Sequence, residues 1–214
     1  MSEMSNVYMF GNSHVSNYAA ALEYYGNPYS LKWRSFNSAS PEPFYGNLKL
    51  EGITFSWLIP SAAWTVVEDK SILDKMSEGF NIHEDDIVIV HWGDQDILRH
   101  LPGHKNELYL VQAYINRIKD YFNCRVIFLE PVPIPEESFV SPIEDYKYVY
   151  SREDIVESYN SFVNILRENA ETISIQENVI KSLHLNENET DDGAHLNQQY
   201  SRGLIAHIKA VLDV

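Results

Sequence analysis

Two periodicities alternate along this chain. Val7-Tyr8-Met9-Phe10 is a short continuous apolar run that stops at Gly11, after which Tyr18, Leu22 and Tyr25 share one face of a segment that Gly26 ends. That pattern predicts a strand, a tight turn and a helix. Ile87-Val88-Ile89-Val90 is the strongest strand signal, followed by Leu108, Val111, Ile115, Ile118 and Phe122 at helical spacing. Val126 to Leu129 repeats the strand, and Ile155, Tyr159, Phe162 and Leu166 mark another helix. Ile173-Ser174-Ile175 reads as a last strand, and Tyr200, Leu204, Ile208 and Val211 as the closing helix. Leu31 to Phe36 and Thr54 to Ile59 are further strand candidates.

Runs that are apolar at every position suit strands buried on both faces. Their alternation with helices predicts an α/β fold, a mostly parallel sheet with helices on both sides joined by right-handed crossovers. No internal repeat or low-complexity linker divides the 214 residues, so one domain over 1–214 is expected. In such a sheet, ligands bind beyond the carboxyl ends of the strands, where the chemistry should be sought.

Composition narrows the partners. The balance of 16 basic against 31 acidic residues, net −15, repels phosphate backbones and anionic lipid, so neither nucleic acid nor membrane is an expected partner. No apolar run is long enough to cross a bilayer, and Met1 to Asn6 has no secretory character, so a cytoplasmic location is expected. The single cysteine, Cys124, precedes an apolar run, where a buried, inert thiol is expected; internal disulfides and Cys-based zinc sites are excluded.

Three polar clusters fall where this fold places its chemistry. In Gly11-Asn12-Ser13-His14 a hydroxyl stands between strand and helix, where unpaired N–H groups and the helix dipole stabilise an oxyanion; Ser13 or Ser16 as a helix cap is the competing reading. In His91-Trp92-Gly93-Asp94-Gln95-Asp96 a glycine allows close backbone approach and an amide can donate to a developing negative charge, though Gly-Asp would also make an ordinary turn. In the third cluster Asp192 and His195 are three apart in a turn, which lets the carboxylate orient the imidazole of a general base; here the competing reading is a turn with Asn197 as helix cap.

Together the clusters resemble those of the SGNH hydrolases, the GDSL-type lipases and esterases. Gly11-Asn12-Ser13 is similar to that family's Gly-Asp-Ser, Gly93-Asp94-Gln95-Asp96 to its Gly-x-Asn-Asp, and Asp192-Gly193-Ala194-His195-Leu196-Asn197 to its Asp-Gly-x-His-Leu-Asn. The resemblance implies a three-layer α/β/α sandwich around a flavodoxin-like, mostly parallel five-stranded sheet. It implies Ser13, His195 and Asp192 as nucleophile, base and orienter of a serine esterase, a carbohydrate O-acetyl esterase among the candidates. Gln95 and Gly93 are placed at the oxyanion hole, with Gly46 the nearest match to the second-block glycine and Ala39 or Ser40 as other backbone donors. No cofactor and no metal are implied, and the partner is a small-molecule or carbohydrate acyl ester. Asn12 for Asp and Gln95 for Asn depart from the family pattern.

A metallophosphoesterase fails on spacing, because Asn12 replaces the Asp of an Asp-x-His site and position 97 is Ile. An α/β-hydrolase elbow, Gly-x-Ser-x-Gly, is absent around Ser13. What stays open is an acyl hydrolase, an acyltransferase of the same fold, or a catalytically weakened relative that binds such a ligand. Tyr18, Trp33, Trp57, Trp64 and Trp92 could wall a sugar site, although core positions are expected for most of them.

Overall fold

A computed structural model describes residues 5–23, 44–59, 61–102, 104, 108–135, 150–180, 182, 184–186, 188–190 and 195–214. Its main sheet has six strands: β1 (Val7–Gly11), β2 (Phe44–Leu50), β3 (Ile53–Ile59), β4 (Ile87–His91), β5 (Arg125–Leu129) and β7 (Thr172–Ile173). Their order is β2-β3-β1-β4-β5-β7; only β2 runs antiparallel, to β3. Without β2, the five parallel strands follow the 2-1-3-4-5 order of flavodoxin-like sheets. A separate parallel pair joins β6 (Ile134–Pro135) and β8 (His184–Leu185).

Strand alternation assigns the two cores. Tyr8, Phe10, Leu58, Val88, Val90 and Phe128 point to the face covered by α2 (Ala63–Glu68), α3 (Ser71–Ser77), α4 (Tyr109–Tyr121) and α5 (Arg152–Asn169). Val7, Met9, Ile53, Phe55, Ile87, Ile89, Ile127 and Leu129 point to the other face, under α1 (Ser13–Glu23), the short α6 (Ile175–Asn178) and α7 (Gln198–Leu212). The sheet and its flanking helices form the expected three-layer sandwich. No helix of the described residues is long and apolar enough to cross a membrane.

Several elements differ from the sequence expectation. The edge strand β2 has exposed Tyr45, Asn47 and Lys49, which leaves no continuous apolar run to read. The α2 helix carries Thr65-Val66-Val67, a β-branched run that masks its helical period. The last strand stops at Ile173 because the Ser174 hydroxyl accepts the N–H of Glu177 at 3.1 Å and caps α6. On α7 the buried stripe is Leu204, Ile205, Ile208 and Leu212, one position round from that expected, which leaves Val211 49% exposed. Cys124 is half-buried rather than buried, and the candidate strand Leu31 to Phe36, with Trp33, lies outside the described residues.

One feature of register builds the site. Gly11, the last residue of β1, pairs with His91, the last of β4, and with Trp57 of β3. The chain therefore leaves β1 and β4 at the same level, and Asn12-Ser13 and Asp94-Gln95-Asp96 meet at one rim of the sheet.

Candidate active site

Ser13 opens α1. Asn12 is buried, and its Oδ1 accepts the His14 N–H at 3.1 Å while its carbonyl accepts the Val15 N–H at 3.1 Å, so Asn12 caps the helix. Ser16 donates to the Ser13 carbonyl at 2.7 Å. With the cap filled by Asn12, the half-buried Ser13 hydroxyl faces His195, whose Nε2 lies 2.8 Å from Ser13 Oγ. Residues 182 apart in sequence thus form the contact a serine nucleophile and its base require. Asp192 lies outside the described residues.

The segment that carries His195 is held by its own surroundings. Thr190 bridges Leu196, Asn197 N–H donates to the Glu189 carbonyl at 2.8 Å, and Asn197 Oδ1 caps α7 through the Tyr200 N–H at 3.2 Å.

Beneath this pair sits a buried cluster that the sequence motifs did not unite. His14 lies ring to ring with His195 (centroids 4.5 Å) and with His91 (5.2 Å). Asp94 Oδ2 accepts from His91 Nε2 at 2.9 Å and lies 3.7 Å from His14 Nε2, while Oδ1 accepts the Val132 N–H at 2.8 Å. Burial alone would raise the Asp94 carboxyl, but the two imidazoles, the His91 hydrogen bond and the Val132 N–H outweigh it and hold the group well below the usual carboxylate range.

The ligating atoms of His14, His91 and Asp94 lie within 4.8 Å of one another, a donor set that could hold a cation. In the structure the His91 ring and the Asp94 carboxylate are hydrogen-bonded to each other. The buried His91 Nδ1 has no hydrogen-bond partner among the described residues.

Asp96 does a different job. Its two carboxylate oxygens accept the N–H groups of Ala63 (2.8 Å) and Trp64 (3.1 Å), and Trp92 Nε1 donates to Ser61 Oγ at 2.8 Å. Both contacts fasten the segment behind β3 to the end of β4, across the end of β1. Burial first, with Asp94 adding to it, pushes the Asp96 carboxyl up to about 6 against the pull of its N–H donors.

The two aspartates therefore shape acid stability in opposite ways. Asp94 stabilises the fold above an unfolded-state value near 4, and its contribution is lost as pH falls below that; the contribution of Asp96 is fully present below about 4 and is lost as pH rises through about 6. Denaturant titrations should show Asp96 eroding stability between pH 4 and 7 by on the order of 2 kcal/mol, a slope that Asp96→Asn removes. An unchanged slope in that variant would show that Asp96 does not titrate in this range.

The two glycines expected at the site both pack against aromatic rings. Gly93 has φ +123°, and a Cβ there would lie 2.5 Å from the Phe162 ring of α5, so this glycine turns the chain toward Gln95 while packing on a core aromatic. Gly93→Ala should lower stability by about 2–4 kcal/mol, measured by chemical denaturation. Gly46 lies in the edge strand opposite Trp57, two strands from Ser13, and a Cβ would meet the Trp57 ring at 2.5 Å.

Gln95 is half-buried in the turn behind β4, on the rim it shares with Ser13, while Ala39 and Ser40 lie outside the described residues. Of the proposed aromatic wall, Tyr18 and Trp92 are fully buried, and Trp57 and Trp64 are half-buried. Glu130, the buried acid behind β5, is held by a bidentate pair to Arg167 at 2.6 and 2.9 Å.

No protein-family model and no curated protein matches the chain. Solved structures do. A protein from Streptococcus pneumonia described as a platelet activating factor superposes with a TM-score of 0.59 at 18% identity, over 96% of this chain and 85% of that one. A Bacteroides fragilis protein described as an acylhydrolase gives 0.59 at 11% identity, over 100% and 88%. A variant of an acetyl xylan esterase from Geobacillus stearothermophilus gives 0.51 at 12% identity, over 94% and 90%. Strand order, layers and whole-length superposition agree: this chain shares the fold of these solved structures, a three-layer sandwich around a mostly parallel sheet.

Proposed function

We propose that this protein is a serine esterase whose nucleophile is Ser13 and whose general base is His195, with Asp192 orienting the imidazole. The observation that carries this reading is the 2.8 Å contact between Ser13 Oγ and His195 Nε2 at a helix N-terminus on the carboxyl rim of the sheet.

In this mechanism His195 presents an unprotonated Nε2 and accepts the Ser13 proton as Oγ attacks the ester carbonyl. The carbonyl oxygen becomes an oxyanion, held by the Ser13 N–H at the positive end of α1 and by the Gln95 amide. Collapse expels the alcohol, which takes the proton from His195. Water then attacks the acyl-Ser13 ester with His195 again as base, releasing the acid and restoring the hydroxyl. Asn12 serves this scheme by capping α1, so its difference from the family's Asp falls on a helix cap and leaves the proton path intact.

The acyl group proposed is short, with an O-acetylated carbohydrate as the first candidate; the acetyl xylan esterase with the same fold supports that choice. The test is a panel of p-nitrophenyl esters of increasing acyl length together with acetylated sugars. Turnover that falls with chain length and vanishes in Ser13→Ala supports the reading. Products in which the acyl group moves to a second alcohol would make it a transferase, and binding without turnover a ligand-binding relative.

A further inference from the structure

The segment that carries His195 is fastened to the helix that carries Ser13 by a second residue, Asn17. It lies one helical turn after Ser13 on α1, so both side chains leave the same face. Its Nδ2 donates to the Leu196 carbonyl at 2.7 Å and to Ser201 Oγ at 3.2 Å. Ser201 Oγ donates in turn to the same carbonyl at 3.1 Å. Leu196 directly follows His195, and both Leu196 and Ser201 are buried. One carbonyl adjacent to the base is thereby gripped from α1 and from α7 at once.

Other bonds described for this segment run elsewhere. The Thr190–Leu196 bridge and the Asn197 contacts to Glu189 and Asn188 tie the segment to its own neighbours. Arg202 Nε, which reaches the Ala21 carbonyl at 2.6 Å, joins α7 to α1 one turn beyond Asn17. Asn17 alone of these groups bonds both the nucleophile's helix and the residue next to the base.

We infer that Asn17 is a positioning residue that sets the Ser13–His195 distance by holding the Leu196 carbonyl against α1. The inference rests on the reading of Ser13 and His195 as nucleophile and base. A neutral hydrogen bond of this kind contributes modestly to stability. A misplacement of about 1 Å at reacting atoms slows chemistry by roughly a hundredfold. The signature of positioning is therefore a loss in kcat out of proportion to the loss in stability.

The experiment compares wild type, Asn17→Ala, Asn17→Asp and Ser201→Ala on p-nitrophenyl acetate, with thermal melts of each. Asn17→Ala and Asn17→Asp should lower kcat by about 10–100-fold with KM within about threefold, the Asp variant showing that the lost donor and not lost volume is responsible. Ser201→Ala, close in shape and expected to fold, should lower kcat by about 3–10-fold. Wild-type kcat in the Asn17 variants, with only the melting temperature moved, overturns the inference. Should both Asn17 variants fail to fold, an unchanged kcat in Ser201→Ala overturns it. If wild type and all variants alike turn over no ester, the proposed function falls and takes this inference with it.

Discussion

Ser13→Ala and His195→Ala should each reduce ester turnover by about 10⁴-fold or more while leaving the melting temperature nearly unchanged. The two effects separate because the fold depends little on either side chain. Helix α1 is capped by Asn12, so removing the Ser13 hydroxyl costs no cap. His195 is only partly buried, and its segment keeps the Thr190 bridge and the Asn197 cap when the imidazole is gone. Because nucleophile and base act as a unit, the double variant should be no slower than either single one. A large loss of stability in His195→Ala would instead mark it as a structural histidine within the buried ring stack with His14.

Gln95→Ala should lower kcat by about a hundredfold with little change in KM, because a side-chain donor to the oxyanion acts mainly in the transition state, worth about 3–4 kcal/mol. Position motivates this. The Gly11–His91 pairing brings the turn behind β4 to the level of Ser13, and Gly93, bent by its positive φ, directs the chain into that turn. Gln95→Asn refines the test: slower turnover means that the extra methylene bridges a wider hole, and faster turnover means that it holds the amide out of line. Turnover equal to wild type in both variants would remove Gln95 from the oxyanion hole and shift its work to backbone donors.

How much of this was legible in the sequence depends on whether a feature is local. The central strands β1 and β4 are buried throughout, and β5 from Ile127 on, so their apolar runs announce both their position and the fold class. Ser13 and His195 were legible because each sits in a short motif with a fixed place relative to a strand or helix. The edge strand β2 was not, because half its described residues face solvent. Gly93 was noticed as a site of close approach and Gly46 only as the nearest match to the second-block glycine; the groups packed against them, Phe162 and Trp57, are partners set by tertiary packing. The same limit hid the cluster beneath the site: His14, His91 and Asp94 belong to two separate motifs, and only the β1–β4 register unites them.

The most direct measurement is reaction with a fluorophosphonate probe, followed by peptide mapping of the modified residue, in wild type and in His195→Ala. One adduct is expected, on Ser13, formed rapidly in wild type and at least about a hundredfold more slowly without the imidazole. An adduct on another residue, or ester turnover by a protein whose Ser13 never reacts, would contradict it.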